Sequence, residues 1–229
     1  KALALLPPRV QVFQVYAGGV REKNEEGSAQ ARKNLLKAIE AEMQAMSGLS
    51  FHRVSFEDLP ESERTRLTNL LDDTHALFEA VSMSILLHTY HPDTESIFEE
   101  KVTDFDYLLG KEVNPLAKEK AQGLLFINGS DHVWTAGRWA EQATSAFLGM
   151  VVNAAGGLAT GVAIVPIPAL GEGASLSAAL VDSESGAILW YKQTGGGAGL
   201  RNAESAAALV KELFKGFPLG EKKTTPEER

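Results

Sequence analysis

The chain contains no cysteine, which removes disulfides, thiolate nucleophiles and Cys-ligated zinc from its chemistry. That absence does not choose a compartment, because a cysteine-free chain suits cytosol and periplasm alike. Basic charge is also scarce: 22 Lys and Arg stand against 30 Asp and Glu, for a net charge of -8. A duplex nucleic-acid binder needs clustered basic residues to displace counterions, and docking on anionic lipid needs the same. Neither partner is expected for the domain's own surface. Aromatic residues make up 7%. Three catalytic signatures are missing as well: H-E-x-x-H, the G-x-S-x-G elbow and the G-x-x-x-x-G-K-[ST] phosphate loop.

What remains is ordinary globular material. The 229 residues are 44% hydrophobic, enough for one domain with a core of its own. The first residue is Lys1, so a processed chain whose targeting segment lies upstream is expected. Lys1–Leu6 is itself too short for a signal peptide. Residues 1–220 are expected to form a single α/β domain, and the charged tail 221–229 to be disordered.

Periodicity gives the element order. Arg9 to Tyr16 reads as a strand after Pro7-Pro8, closed by Ala17-Gly18-Gly19. Ser28 is placed to cap a helix carrying Leu35, Leu36, Ile39, Met43 and Met46, with Gly48 as its stop. Phe51 to Phe56 reads as a second strand. From about 61 to 122 a helical insertion is expected. Its first helix is marked by Leu67, Leu70, Leu71, Leu77, Phe78, Val81 and Ile85. A second carries Ile97, Phe98, Phe105, Leu108 and Leu109, and a short third starts at Asn114-Pro115. Leu124 to Ile127 is a strand that can run on through Val133-Trp134. A helix from Gly137 to about Asn153 follows. Ser175 to Val181 and Ala187 to Tyr191 make a hairpin, and Asn202 to Phe214 closes the chain as a helix. The fold class expected is α/β (α+β): a mixed β-sheet with packed helices.

Four features invite a chemical reading. The uncharged stretch Gln142–Gly171 contains Gly149, Gly156, Gly157, Gly161, Pro166 and Pro168. It suits a buried crossover helix and a glycine-rich loop, with membrane insertion and a partner surface as alternatives. His88 and His91, near Asp93 and Glu95, have an H-x-x-H spacing but lack the full ligand set of a zinc site. Gly195, Gly196, Gly197 and Gly199 lie between a strand and a helix, where backbone N–H groups can cradle an anion or nucleotide; a flexible connection is the better reading of them. Trp134, Arg138 and Trp139 have the composition of a binding hot spot, against the alternative of a strand-end Trp serving the core. Ser130-Asp131-His132 places triad residues side by side, which is not how a triad is assembled. No cofactor, metal or catalytic residue is expected.

One segment carries a resemblance. Leu180-Val181-Asp182-Ser183-Glu184-Ser185-Gly186-Ala187-Ile188-Leu189-Trp190 resembles the "LVD-x-x-[ST]-G-x-[IL]-x-W" hairpin of bacterial envelope lipoproteins of the CsgG-like, LpoB-like and TolB amino-terminal-like group. In it Asp182 and Gly186 shape the turn, while Leu180, Ile188 and Trp190 pack against the sheet. Pro115 to Asn128 is similar to that group's short helix running into a strand, with Gly123-Leu124 where an Asp is expected. In CsgG-like proteins the stretch before the final hairpin becomes membrane β-hairpins. Here Gly137–Gly171 lacks the alternation a barrel strand needs, so a pore is not expected.

The resemblance implies a CsgG/TolB-N-like core with a helical insertion. It also implies a periplasm-facing, outer-membrane lipoprotein tethered through a lipidated Cys upstream of Lys1. Such a domain acts without chemistry, by contacting other envelope proteins or a second copy of itself. The contact surfaces expected are Trp134, Arg138 and Trp139, and the loop bearing Gly156, Gly157 and Gly161. The rival readings are a small-ligand binder using Gly195–Gly199 and a metal-dependent enzyme using His88 and His91.

Overall fold

The computed structural model describes residues 2–86, 105–117, 121–141, 173–197, 199–218 and 221–222. Nine strands are formed by these residues. Seven make one mixed sheet: β1 (Ala2–Leu5), β2 (Arg9–Val15), β3 (Arg21–Lys23), β5 (Ser50–Arg53), β6 (Gly123–Trp134), β7 (Gly173–Asp182) and β8 (Ile188–Gly196). β4 (Met46–Ser47) and β9 (Glu221–Lys222) pair separately. The helices that flank the sheet are α1 (Glu25–Gln44), α2 (Glu61–Ile85) and α3 (Ala203–Leu213), with a 3-10 helix at Lys111–Ala117. The expected α+β class is what the chain adopts.

The long strand β6 organises the sheet. One of its edges carries β7 antiparallel, and β7 carries β8. The other edge carries β1 and β2 end to end, both parallel to β6. β5 flanks β1 and β3 flanks β2. Pro7-Pro8 separates the two halves. Leu5 is in register with Leu125 and Arg9 with Asn128, so three residues of one strand face two of β6. This bulge suits prolines, which bring no N–H to the ladder. It also shifts the side-chain alternation by one. Leu3 and Leu5 face the same side before the bulge as Val10 and Val12 do after it.

That side, face A, is covered by α1 and α3. Ala31, Leu35, Ile39 and Met43 of α1 and Ala206, Leu209, Val210 and Leu213 of α3 pack on Leu125, Ile127, Leu176 and Leu180. The i, i+4 spacing of the α1 set is what an apolar helical stripe requires. Face B is covered over its first half by α2 and the 3-10 helix. There Leu67, Leu71, Phe78 and Ile85 meet Ala4, Leu6, Leu124, Phe126 and Ala179. Each fully buried side chain of this size contributes about 1.5–3 kcal/mol, so both helical layers belong to the stability of the sheet itself.

Several boundaries differ from the sequence expectation. The N-cap of α1 is Asn24, whose Oδ1 accepts from Gly27 N at 2.7 Å. Ser28, expected as the cap, sits buried in the first turn. Its hydroxyl accepts from Val12 N at 2.9 Å and donates to Asn24 O at 2.7 Å, so it ties α1 to β2 instead. α1 ends at the C-cap Ala45; Gly48 follows with φ +73° in the next turn. Residues 105–110 are not helical. Tyr107 O accepts from Ile188 N and Leu109 N donates to Gly186 O, which fastens this stretch along the β8 edge. The short helix near Pro115 begins at Lys111 and is 3-10. Glu221–Lys222 of the expected disordered tail form β9.

Candidate functional site

Beyond the end of α2, the second half of face B changes character. Strand pairing assembles it row by row. Arg9, Asn128, Ser177 and Gln193 stand side by side across β2, β6, β7 and β8. The next row on this face is Gln11, Ser130, Ser175 and Gly195, and the next is Lys23, Phe13, His132 and Gly173. Neighbours within a row have Cβ atoms about 4.5–5.5 Å apart. The rows line a depression of about 490 Å3, with Ser82, Met83 and Leu86 at the end of α2 on its margin.

The floor is polar and internally bonded only in part. Ser130 Oγ and Ser175 Oγ share a hydrogen bond of 2.9 Å. Tyr191 donates its hydroxyl to Gln193 Oε1 at 3.2 Å. Phe13 and His132 stack across β2 and β6, with ring centroids 5.6 Å apart. Three side-chain atoms here are buried with no partner among the described residues: Ser82 Oγ, Asn128 Nδ2 and His132 Nε2. Buried polar groups are ordinarily satisfied, so three at one place mark a site. Burial, reinforced by the nearby Arg21 charge, lowers the His132 pKa, which keeps the ring neutral.

Asn128 joins this floor to the covered half. Only 7% exposed, it meets His75 Nδ1 of α2 at 2.7 Å, while His75 Nε2 meets Pro7 O at 3.1 Å. Burial lowers the His75 pKa against smaller raising contributions from its two hydrogen bonds. A neutral imidazole has one N–H. Nδ1 faces Asn128 Oδ1, and which ring nitrogen carries the proton sets whether His75 donates there or to the Pro7 carbonyl. The other end of the amide remains at the floor.

The strand ends hold a second cluster. Thr135 Oγ1 donates to Val15 O at 3.2 Å and accepts from Arg138 N at 3.3 Å, which starts a helical segment at residues 136–141. Trp139, 52% exposed, packs edge-on against the half-buried Trp134 at 5.0 Å. The Arg138 guanidinium lies 5.6 Å from the Trp134 ring centre. Arg138 Nη1 also pairs with Glu141 at 2.7 Å, and the same carboxylate accepts from Gly18 N at 2.9 Å. These bonds, that to the Gly18 amide first, lower the Glu141 pKa. Trp134 Nε1 and Arg138 Nε are buried without a partner among the described residues. Trp134, Arg138 and Trp139 are thus brought together.

The remaining candidates separate. Gly195 and Gly196 belong to β8 and pair with Ser175 and Ala174. Beyond Gly197 and Gly199, Leu200 N donates to the buried Asp131 carboxylate at 2.9 Å, and Asn202 caps α3 by accepting from Ser205 N. The hollow beside this segment is lined by Glu204 and Glu212. Carboxylates so placed oppose an anion. Strand alternation puts Asp131 on face A and Ser130 and His132 on face B, so these three do not form a triad. His88, His91 and the whole of Gln142–Gly171, with Gly156, Gly157 and Gly161, lie outside the described residues. Among the described residues there is no group of three or more His, Asp or Glu suited to a metal ion, and no helix is long and apolar enough to cross a membrane.

The polar floor went unread in the sequence. The one available signal was alternation: Asn128, Ser130 and His132, like Ser175 and Ser177, recur at every second position.

No family model and no curated protein matches the chain. Among solved structures, it is similar to the lipoprotein GNA1162 from Neisseria meningitidis, with 12% identity, 94% of this chain and 98% of that chain covered, and a TM-score of 0.35. A likeness at that level decides neither fold nor function.

Proposed function

We propose that the chain is a non-catalytic interaction module of the bacterial cell envelope, held there by a lipid anchor, whose partner surface is the Trp134–Arg138–Trp139 cluster. The observation that carries the interaction reading is the combination of exposure and rigidity at Trp139. A large aromatic is half in solvent, yet its neighbour Trp134, the Arg138 guanidinium, Glu141 and the Gly18 amide hold one another in place. Aromatic and arginine side chains fixed before binding lose little entropy on association and dominate interface energetics. Tyr16 and Val20, both exposed, flank Gly18 in sequence and extend the surface.

The envelope address rests on the Leu180–Trp190 hairpin and its resemblance to the lipoprotein group. Its turn is built from the residues that define the motif. Asp182 accepts from Ser185 Oγ at 2.6 Å and Ser185 N at 2.8 Å, and these bonds lower its pKa. Gly186 supplies φ +75° and lies against Gly110, where a side chain has no room. Partners of the expected class are other envelope proteins or a second copy of this chain.

Two measurements test the reading. In the native host, the full-length precursor labelled with a fatty-acid analogue is expected to incorporate lipid and fractionate with the outer membrane; a cytosolic, unlipidated protein removes the address. In vivo cross-linking of Trp139→Ala is expected to lose adducts that the parent chain forms. A folded variant that keeps every adduct removes the surface.

A further inference from the structure

We infer that the half of face B left open by the described residues is a binding site for a neutral saccharide. The argument begins with what the floor lacks. Its central residues, Gln11, Asn128, Ser130, Ser175, Ser177 and Gln193, carry no charge. The one carboxylate of this part of β6, Asp131, faces the opposite side of the sheet and is bonded there to Leu200 N. The imidazole of His132 is neutral, and at the margin Arg9 stands 3.8 Å from Glu79. Arg21, exposed on the edge strand β3, also lines the depression, whose charges therefore stand at the edges while the centre offers hydroxyl and amide groups.

An apolar ligand fits no better, since it would seal Asn128, Ser82 and His132 away from any partner. The complement of hydroxyl and amide side chains arrayed on a flat face is a ligand that offers hydroxyl and amide groups at short, repeated intervals. A peptide meets that description, but peptides join sheets at their edges, through backbone hydrogen bonds. This surface is a face and presents side chains alone. A sugar ring carries adjacent hydroxyls that donate and accept from one group, and its C–H face suits an aromatic neighbour. The stacked Phe13 and His132 close one end of the depression. At about 490 Å3 the depression lies within the size of small-molecule sites, roughly 300–1,000 Å3. The partnerless Asn128 amide end and His132 Nε2 are the contacts a bound hydroxyl satisfies.

The test is a titration of the full chain with glucose, N-acetylglucosamine and the corresponding oligomers up to four rings, read by calorimetry and by the ring resonances of Phe13 and His132. Saturable binding that shifts both rings and is unchanged by added salt is expected, because neutral ligands feel no ionic screening. The double variant Gln11→Ala with Gln193→Ala, at two positions outside the core, is expected to weaken binding at least tenfold while keeping the parent melting temperature. Trp139→Ala leaves it unchanged. No binding by any of these sugars at millimolar concentration overturns the inference. So does binding that ignores the double variant, and so does a response confined to charged sugars and abolished by salt.

Discussion

Two halves of one sheet face, sharing strands β6, β7 and β8, serve opposite ends. In the row formed by Phe126, Ala179 and Tyr191, every position turns to α2 and is buried. One row further along the same face stand Arg9, Asn128, Ser177 and Gln193, with Ser82, Met83 and Leu86 at their margin. β6, β7 and β8 continue in their pairing; the side chains and the described cover change. The difference teaches that cover is a property of composition. α2 seals rows whose side chains are apolar, and among the described residues no helix lies over the amides and hydroxyls of the rows that follow. Asn128 and His75 stand at the join, polar groups that satisfy each other beneath the last of the cover.

Four perturbations probe that contrast. The largest is Phe78→Ala. Phe78 is fully buried against Phe126 and Tyr191, and its truncation is expected to cost about 3–5 kcal/mol in chemical denaturation. Asn128→Ala strikes the join. It leaves His75 Nδ1 buried without its partner, and a loss of about 1–3 kcal/mol is expected by the same measurement.

The third perturbation is pH. Because burial holds the folded His75 pKa below its ordinary 6.5, the unfolded chain takes up the proton first as pH falls. Stability is complete above about pH 6.5 and declines on acidification through that value toward the folded pKa. Urea midpoints from pH 7.5 to 5 are expected to show this decline, and His75→Gln to flatten it. His132, shifted the same way, leaves a residual slope. The smallest effect belongs to the polar half. Replacing Ser130 and Ser175 together by Ala removes both ends of one hydrogen bond, and a change under about 1 kcal/mol is expected. A large loss there would mean that the polar half serves the fold as the apolar half does.

The sequence disclosed the sheet's long strands and the apolar stripes of α1, α2 and α3, because burial of one face imposes a period that survives in the residues. It concealed elements too short to have a period. Ala2–Leu5 forms an interior strand of four residues, and its apolar run is as easily a leader fragment as a strand. Arg21–Lys23 is wholly exposed, so burial leaves no period in it. Ser28 was expected to cap α1, and Asn24 does so instead. Asn24, followed at once by Glu25 and Glu26, had the stronger claim, since acidic first-turn residues match the positive end of the helix dipole. Gly195 and Gly196 looked like a loop because glycine has no side chain to declare a strand; their neighbours across β7 decide the matter. Of the candidate surfaces, the Trp134–Trp139 cluster is local in sequence and therefore visible. The polar floor draws on residues from Gln11 to Gln193, and only pairing brings them together.

The bulge at Pro7-Pro8 has a mechanical consequence. With no N–H to offer at either proline, the ladder along β6 misses its rungs at the very place where β5 gives way to β3 as the outer neighbour. The sheet is therefore jointed. Its first panel, β1 with β5, is braced by the helical layers on both sides, while its second, β2 with β3, leans among the described helices on α1 and is pinned there through Ser28. Amides of the outer panel can exchange with solvent while those of Leu3 to Leu5 stay closed, and the saccharide-facing residues Gln11 and Phe13 ride on the panel that is free to adjust.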